Sequence, residues 1–153
     1  AGAVASPESV ALLMQSGEGT VTAAMSEDLH ARLVREGASL RYTESASPGG
    51  FSPADRTVTL KQLASPSARA HFFSAPGHVL PELVSSGAVS TAGEAALALA
   101  ELAQMRAVVG TSELVTEDRL ALMSAEAAAR FAQERGLVVT SVEDVARFFA
   151  HTQ

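Results

Sequence analysis

Apolar blocks alternate along the chain with polar helix-start signals, and this pattern predicts most of the secondary structure. A serine or threonine with a proline or an acid in the following turn is typical of a helix N-terminus. Such signals predict six helices, which begin after Ser6, Ser26, Ser52, Thr91, Ser124 and Ser141. Shorter apolar runs predict strands at residues 21–25, 40–44, 78–84, 107–114 and 137–139.

Two of these segments carry further expectations. The helix after Thr91 is apolar on every side, which predicts burial on more than one face. The run at 107–114 is continuous enough to predict a central strand. Because helices and strands alternate through most of the chain, we expect an α+β fold in which helices cover a sheet. The 153 residues fit a single domain over 1–153.

Composition excludes several classes of protein. With 11 basic against 17 acidic residues, the net charge of −6 has the wrong sign for binding nucleic acid. No apolar run approaches the roughly 20 residues that cross a bilayer, so we expect no membrane partner. The absence of cysteine excludes a thiol nucleophile and any Cys-ligated metal, and it is compatible with the cytoplasm, which we expect as the location. No signal peptide is visible at the start of the sequence.

Local motifs name few candidates for chemistry. The sequence contains no HExxH, Walker loop, GxGxxG after a strand, or GxSxG. His78 lies between a Pro-Gly turn and a strand, and a lone histidine there is structural in most proteins. Glu113 follows the apolar run 107–109, at a strand end where a carboxylate against apolar surroundings would suit general acid or base catalysis. The plain alternative is a glutamate in water.

Asp55 and Arg56 form a third candidate for a functional site, and both residues also have a plain structural explanation. An acid in the first turn of a helix is stabilised by the helix dipole, and the arginine beside it could simply lie at the surface. Residue types and spacing alone therefore do not identify a function.

An ordered set of motifs resembles the 3,4-dihydroxy-2-butanone 4-phosphate (DHBP) synthase family of riboflavin biosynthesis. The family's Gly-Ile-Ser-Ala-x-Asp-Arg segment recurs as Gly50-Phe-Ser-Pro-Ala-Asp-Arg56, and its Arg-Pro-Gly-His-Val-Phe-Pro recurs as Ala75-Pro-Gly-His-Val-Leu-Pro81. Its Gly-His-Thr-Glu-Ala recurs as Thr91-Ala-Gly-Glu-Ala95, and its Cys-Glu as Ser112-Glu113. The resemblance covers nearly the whole chain in order, and it implies an α/β/α sandwich with a mixed sheet.

The resemblance also implies a chemistry. The family converts ribulose 5-phosphate into DHBP and formate with magnesium, in a homodimer whose active sites lie at the subunit interface. By this resemblance Asp55, His78 and Glu113 occupy catalytic positions, and Ser90, Thr91 and Arg56 are candidates for binding a small anionic or sugar-like ligand. The chain begins just after the point where the family's acidic loop, which carries a metal-binding glutamate, would lie.

Several family positions are changed. Ala92 stands where the family has a metal-binding histidine, and Val89 where it has the arginine that holds the substrate phosphate. Gly93 and Gly49 stand in place of threonines. We therefore expect no metal site and no cofactor in this chain, because the magnesium ligands of the family are missing.

Three hypotheses follow from the resemblance and its departures. The first is a diverged domain that has lost the magnesium-dependent reaction and is kept as a dimeric scaffold or small-ligand-binding protein. The second is an enzyme that uses Glu113 and His78 in acid–base chemistry on another small molecule. The third is a genuine synthase whose catalytic loops are missing from this sequence. Ala92 and Val89 argue against it, because they replace the family's metal-binding histidine and phosphate-binding arginine.

Overall fold

The computed structural model places a small mixed sheet between two layers of helices. It describes residues 4–38, 42–43, 49–74, 77–85 and 89–152. The assigned elements are α1 (Pro7–Ser16), β1 (Val21–Ser26), α2 (Glu27–Arg35), α3 (Pro53–Leu63), β2 (Val79–Val84), α4 (Ala92–Leu102), β3 (Val108–Thr111), α5 (Ala125–Glu134) and α6 (Val142–Ala150). A 3₁₀ turn at Ala70–Phe72 leads towards β2.

All six predicted helix starts are confirmed. Each predicted serine or threonine is the N-cap residue, and its side-chain oxygen accepts a hydrogen bond from a backbone N–H of the first turn. In α1 and α3 a proline follows the cap, where its fixed φ suits the helix and its missing N–H costs nothing. Because the caps satisfy donors that the helix itself leaves open, they determine where each helix begins.

The three strands are ordered β2-β1-β3. β1 runs parallel to β2, with Val21 opposite Val79, and antiparallel to β3, with Thr22 opposite Thr111. The prediction that the run at 107–114 is a central strand is wrong, because among the strands of the described residues β1 is central and β3 is a short edge strand. The apolar run arises because helices cover β3 on both sides: Val108 packs in the main core, and Ala107 packs against Ala24 and Leu97.

The two faces of the sheet bury different helices. Val21, Ala23 and Met25 of β1 alternate towards a core shared with α1, α2 and α3, which includes Leu33 and Leu60. The opposite face, with Ala24 of β1 and Val84 of β2, packs against Leu97 of α4. The sheet and its helices thus form the expected α/β/α sandwich.

The predicted double burial of α4 is confirmed. Leu97 packs on the sheet, while Ala95 and Ala98 pack against Val145 of α6. Leu99 lies on the remaining face of α4, towards solvent, with 46% of the residue exposed. None of the helices in the described ranges is long and apolar enough to cross a membrane.

Two further strand predictions have different outcomes. The predicted strand at 137–139 is wrong: the Leu137 N–H donates to the Ala132 carbonyl at 2.8 Å, closing the end of α5 around Gly136 at φ +63°. Val138 is consequently 96% exposed. Of the predicted strand at 40–44, the structure describes only Tyr42 and Thr43, and the other three residues lie outside the described ranges. Tyr42 forms an isolated antiparallel bridge with Val79.

Candidate functional site

A cavity of about 410 Å³ opens where β1 and β2 begin and β3 ends. Because β1 pairs parallel with β2 and antiparallel with β3, the first residues of β1 and β2 and the last residues of β3 meet at the same end of the sheet. The first turn of α4 closes the cavity from above. We call it the acidic cavity; it is lined by Glu18, Thr20, Thr22, Leu80, Pro81, Glu82, Ala92, Gly93, Thr111, Ser112 and Glu113.

A chain of hydrogen bonds crosses the floor of the acidic cavity. The Thr111 hydroxyl donates to Oε2 of Glu82 at 3.0 Å, and the Thr22 and Thr111 hydroxyls are also hydrogen-bonded to each other. Strand alternation places these three side chains on the face of the sheet that α4 covers. The carboxylate of Glu82 on β2 is therefore held by Thr111 of β3, across the central strand β1, rather than free to swing into water.

The carboxylate of Glu82 lies directly against Gly93, in the first turn of α4. A Cβ atom on Gly93 would come within 2.7 Å of the carboxylate carbon of Glu82, a distance that ordinary side-chain contacts do not reach. Glycine leaves this space to the carboxylate, and a side chain here would have to displace it. A glutamate carboxylate thus occupies the space beside the N-terminus of α4, which attracts negative charge.

Glu113 stands at the mouth of the acidic cavity and is exposed, which agrees with the alternative of a glutamate in water rather than a carboxylate held against apolar surroundings. Its position is set by Ser112, whose hydroxyl donates to the Thr20 carbonyl at 3.0 Å, and by close packing against Gly17. A Cβ on Gly17 would lie 2.8 Å from the Leu13 carbonyl oxygen and 2.9 Å from that of Glu113. The loop after β3 therefore rests on the end of α1.

Glu94 engages the donors of Ser90 and Thr91 at the start of α4. Its Oε2 accepts hydrogen bonds from the Ser90 hydroxyl at 2.7 Å, the Ser90 N–H at 2.8 Å and the Thr91 N–H at 2.9 Å. These bonds, the Ser90 hydroxyl first, lower the pKa of Glu94, so the carboxylate is ionised at neutral pH. A ligand that used Ser90 and Thr91 would have to compete with this internal anion.

His78 lies outside the acidic cavity, in a separate cluster. Its ring packs on the ring of Phe51 with centroids 3.9 Å apart, and its backbone N–H donates to the Thr43 hydroxyl at 3.1 Å. Gly50, at φ +73°, leaves space for this packing, since a Cβ there would approach His78 to 2.7 Å. Within one chain, His78 does not join Glu113 among the residues that line the acidic cavity.

Asp55 and Arg56 are engaged by the protein itself. Asp55 completes the capping box of α3, accepting from the Ser52 hydroxyl at 2.8 Å and from the Ser52 N–H at 3.2 Å. Arg56 is buried, which lowers the pKa of its guanidinium, and its Nη1 donates to the Gly19 carbonyl at 2.8 Å. Arg56 therefore supports the loop that carries Glu18 and Thr20, and neither it nor Asp55 lines the cavity.

Sequence reasoning found Glu113 in the acidic cavity but missed Glu82, Glu18, Thr22 and Thr111. Glu82 interrupts the apolar run of β2 with a charged side chain, and that interruption was an available signal. The hydroxyls of Thr22 and Thr111 carried no signal of their own. They meet only because residues 89 positions apart pair across the sheet.

The described residues contain no preformed cluster of metal-ligating side chains. Mg²⁺ requires oxygen ligands in near-octahedral geometry, and the cavity does hold three carboxylates. Within the described ranges, however, no three aspartate, glutamate, histidine or cysteine side chains come close enough together to hold a metal ion. One oxygen of Glu82 already accepts from Thr111, and Ala92 contributes no ligand.

The sandwich and its cavity at the strand ends define a recognisable class of domain, which comparison with known proteins identifies. The family model of 3,4-dihydroxy-2-butanone 4-phosphate synthase matches residues 1–148, and the chain belongs to this family. It is 30% identical over 166 aligned positions to the riboflavin biosynthesis protein RibBA of Salinispora tropica. That match covers 98% of this chain and 41% of the relative, so the chain spans about two fifths of that protein's length.

Solved structures of the family have the same fold. A cation-free DHBP synthase is 26% identical with a TM-score of 0.84, and the match covers 99% of this chain and 81% of that one. A DHBP synthase in complex with two magnesium ions gives a TM-score of 0.83 at 24% identity, covering 94% of this chain and 79% of that one. The chain is thus a DHBP synthase-like domain of the kind found in riboflavin biosynthesis proteins.

Proposed function

We propose that this domain has lost the magnesium-dependent conversion of ribulose 5-phosphate and is kept as a protein that binds a small, uncharged polyhydroxylated molecule. The observation that carries the proposal is the lining of the acidic cavity. Glu18, Glu82 and Glu113 line it, and no lysine, arginine or histidine does so within the described residues. The hydroxyls of Thr22 and Thr111 supply polar contacts suited to a sugar-like ligand.

Repulsion of phosphate is the physical basis of the proposal. A phosphate monoester carries about −1.5 to −2 charges at pH 7, and recognition of such a group normally uses arginine, lysine or free backbone N–H groups. Here Val89 and Ala92 supply none of these side chains. The N-terminus of α4, the remaining anion site, already faces the carboxylates of Glu82 and Glu94.

The same lining argues against magnesium as a cofactor, because the family's histidine position is Ala92 and the carboxylates of the described residues do not converge. We therefore propose no step through a metal ion. The acid–base alternative requires Glu113 to meet His78, and one chain keeps them in separate places. It would need a second copy to bring the His78–Phe51 cluster to the cavity.

A homodimer is the assembly we propose. Several large apolar side chains are exposed, including Leu120 at 84% and Phe148 at 63%, and a second copy would cover part of this surface. Light scattering at micromolar concentration should give about twice the 15.7 kDa of one chain. A particle of single-chain mass would contradict the dimer. We further propose a cytoplasmic location, with which the lack of cysteine is compatible.

The first test is formate release from ribulose 5-phosphate in the presence of magnesium, followed by proton NMR. We expect no formate above background, while a bona fide synthase under the same conditions produces it. Formate at a catalytic rate would overturn the proposal and would establish the chain as a genuine synthase. A formate signal lost on Glu113→Gln would also place the reaction in the acidic cavity.

The second test compares ribulose with ribulose 5-phosphate as ligands, using ¹H–¹⁵N spectra. Ribulose should shift the amides of residues 111–113, and the phosphate ester should bind more weakly. Glu82→Gln keeps the shape of the side chain but removes one repelling charge. It should therefore reduce the difference in Kd between ribulose and ribulose 5-phosphate. Tighter binding of the phosphate ester by the wild-type protein would contradict the charge argument.

A further inference from the structure

A second polar cavity, of about 460 Å³, lies at the opposite end of β1. It opens where β1 passes into α2 and where the chain enters β3. We call it the arginine cavity; it is lined by Ser26, Asp28, Leu29, Arg32, Arg35, Arg106, Ala107 and Val108. It shares no lining residue with the acidic cavity.

The arginine cavity concentrates positive charge on an otherwise acidic protein. Three of the chain's 11 basic residues line it, although the net charge of the whole chain is −6. With three arginines and one aspartate, the lining carries a formal charge of +2. Like charges gathered around one cavity repel one another, and a bound anion would relieve that repulsion.

Two of the three arginines have their donors available. Arg32 is anchored, since its Nη1 donates to the Ala68 carbonyl at 2.9 Å and approaches Oε1 of Glu36 at 3.4 Å. Arg35 and Arg106 are exposed, and neither has an ion pair or a side-chain hydrogen bond with any residue that the structure describes. They come from different elements, Arg35 from the end of α2 and Arg106 from the segment before β3.

The first turn of α2 faces the same cavity. Ser26 ends β1 and caps α2 by accepting from the Leu29 N–H at 3.3 Å, and Asp28 of that turn lines the cavity. The N-terminus of a helix favours negative charge, although the acidic residues Glu27 and Asp28 offset part of this. The guanidinium groups therefore provide most of the attraction for an anion, and the helix adds to it.

We propose that the arginine cavity binds a phosphate monoester of a small molecule. A phosphate monoester carries about −1.5 to −2 charges at pH 7, which complements the two arginines of the lining that have no ion pair among the described residues, Arg35 and Arg106. Arginine forks match phosphate oxygens with paired hydrogen bonds. The acidity of the whole chain favours a small ligand over a nucleic acid, whose many phosphates the rest of the surface would repel. The site is independent of the function proposed for the acidic cavity.

The test is a titration with inorganic phosphate and with glycerol 3-phosphate, at constant ionic strength set with chloride, followed in ¹H–¹⁵N spectra. Saturable shifts should be confined to the amides of residues 26–29 and 106–108. Removing both free cations with Arg35→Gln/Arg106→Gln should raise the Kd about tenfold or more, since each charge-assisted contact contributes substantially to binding. Arg35→Lys/Arg106→Lys, which keeps the charge but loses the fork, should give an intermediate Kd.

A matched control removes the same charge elsewhere. Arg130→Gln/Arg147→Gln takes two arginines from exposed pairs with Glu126 and Asp144, and it should leave the phosphate Kd unchanged. Equal weakening by both double variants, or shifts spread over the whole surface, would overturn the proposal by showing a nonspecific charge effect. Tighter binding of a short oligonucleotide than of either phosphate at the same salt would overturn the choice of a small ligand. Shifts at residues 111–113 alone would place phosphate in the acidic cavity and would contradict both proposals.

Discussion

The two ends of β1 differ in the sign of their charge. At its amino end three glutamates surround the acidic cavity, and at its carboxyl end three arginines surround the arginine cavity. Thr22 and Ser26, which line the two cavities, are four residue steps apart, or about 13 Å at ~3.3 Å per residue. Since the Debye length in physiological salt is ~8 Å, the charge at one end is largely screened at the other. Each end can therefore select its own ligand.

The contrast extends to how the charges are held. Glu82 is fixed by Thr111 and by the close approach of Gly93, so the acidic end is partly preorganised. Arg35 and Arg106 project from two separate elements without partners among the described residues, so the arginine end is open. A substitution at the acidic end should therefore change stability and geometry together, whereas one at the arginine end should change binding alone.

The largest expected loss of stability comes from Gly17→Ala, which would displace the loop after β3 beside the acidic cavity. The added Cβ would meet the backbone carbonyl oxygens of Leu13 and Glu113 at 2.8 and 2.9 Å, and backbone atoms cannot rotate away. We expect the free energy of unfolding in urea to fall by about 3 kcal/mol, the upper part of the range for overpacking. Amide shifts should spread through residues 111–115 and leave residues 26–29 unchanged.

Gly37→Ala is the matched control for this prediction. A Cβ on Gly37 meets nothing within 4 Å, but its φ of +98° disfavours a side chain. We expect a smaller loss, about 1 kcal/mol, from backbone strain alone and no shift near Glu113. Equal losses in the two variants would show that the packing of Gly17 does not hold the loop after β3.

A slightly smaller loss of stability should accompany the ionisation of Tyr42 at high pH, and it should affect both ends of β1. Tyr42 is fully buried beside β2, and burial raises the pKa of its phenol to about 12. The unfolded chain loses this proton near pH 10, so stability should fall as the pH rises from about 10 to about 12, by roughly 2 to 3 kcal/mol in all. Unlike Gly17→Ala, this loss should come from the shared core and affect both cavities equally.

The titration of Tyr42 can be followed directly, because it is the chain's single tyrosine. Tyrosinate absorbance of the folded protein should have its midpoint well above that of a tyrosine peptide. In Tyr42→Phe the loss of stability over this pH interval should largely disappear. A tyrosinate midpoint near 10 in the folded state would contradict the burial argument.

The helices of this fold could be predicted from the sequence because their signals are local. Each cap, such as Ser52 for α3 or Thr91 for α4, lies within three residues of the donors it satisfies. Strand order depends on distant partners, and an edge strand covered on both faces resembles a central one in sequence. That is why the sequence predicts β3 as the central strand. Residues 137–139 form an apolar run typical of a strand, but the Leu137 N–H is used to close α5 and no strand is assigned there.

The candidate site was predictable only in part for the same reason. Glu113 stood out because it follows an apolar run, but its neighbours in the acidic cavity come from three other elements. His78 and Asp55 carry family motifs, yet their contacts in one chain are with Phe51 and Ser52. A motif identifies which residues a family keeps, whereas only the packing shows which of them face the same space.

The smallest effect isolates the contact between Glu82 and Gly93. Replacing glycine by alanine in a helix normally stabilises it by roughly 0.5 to 1 kcal/mol. In the wild-type protein, Gly93→Ala must first displace the carboxylate of Glu82, which is the mobile end of a side chain but is held by Thr111. We expect that cost to cancel or exceed the gain in helix stability.

In a Glu82→Ala background the same Gly93→Ala change meets no carboxylate and should stabilise the protein by the full amount. Urea denaturation of the two single variants and the double variant then gives an interaction energy of about 1 kcal/mol between the two sites. Ala92→Gly, one residue earlier and exposed, provides a control that should show no coupling to Glu82→Ala. Additive effects at Gly93 and Glu82 would mean that the carboxylate does not rest on α4 in solution. The acidic end would then be as open as the arginine end, and the preference for an uncharged ligand that we propose would lose its structural basis.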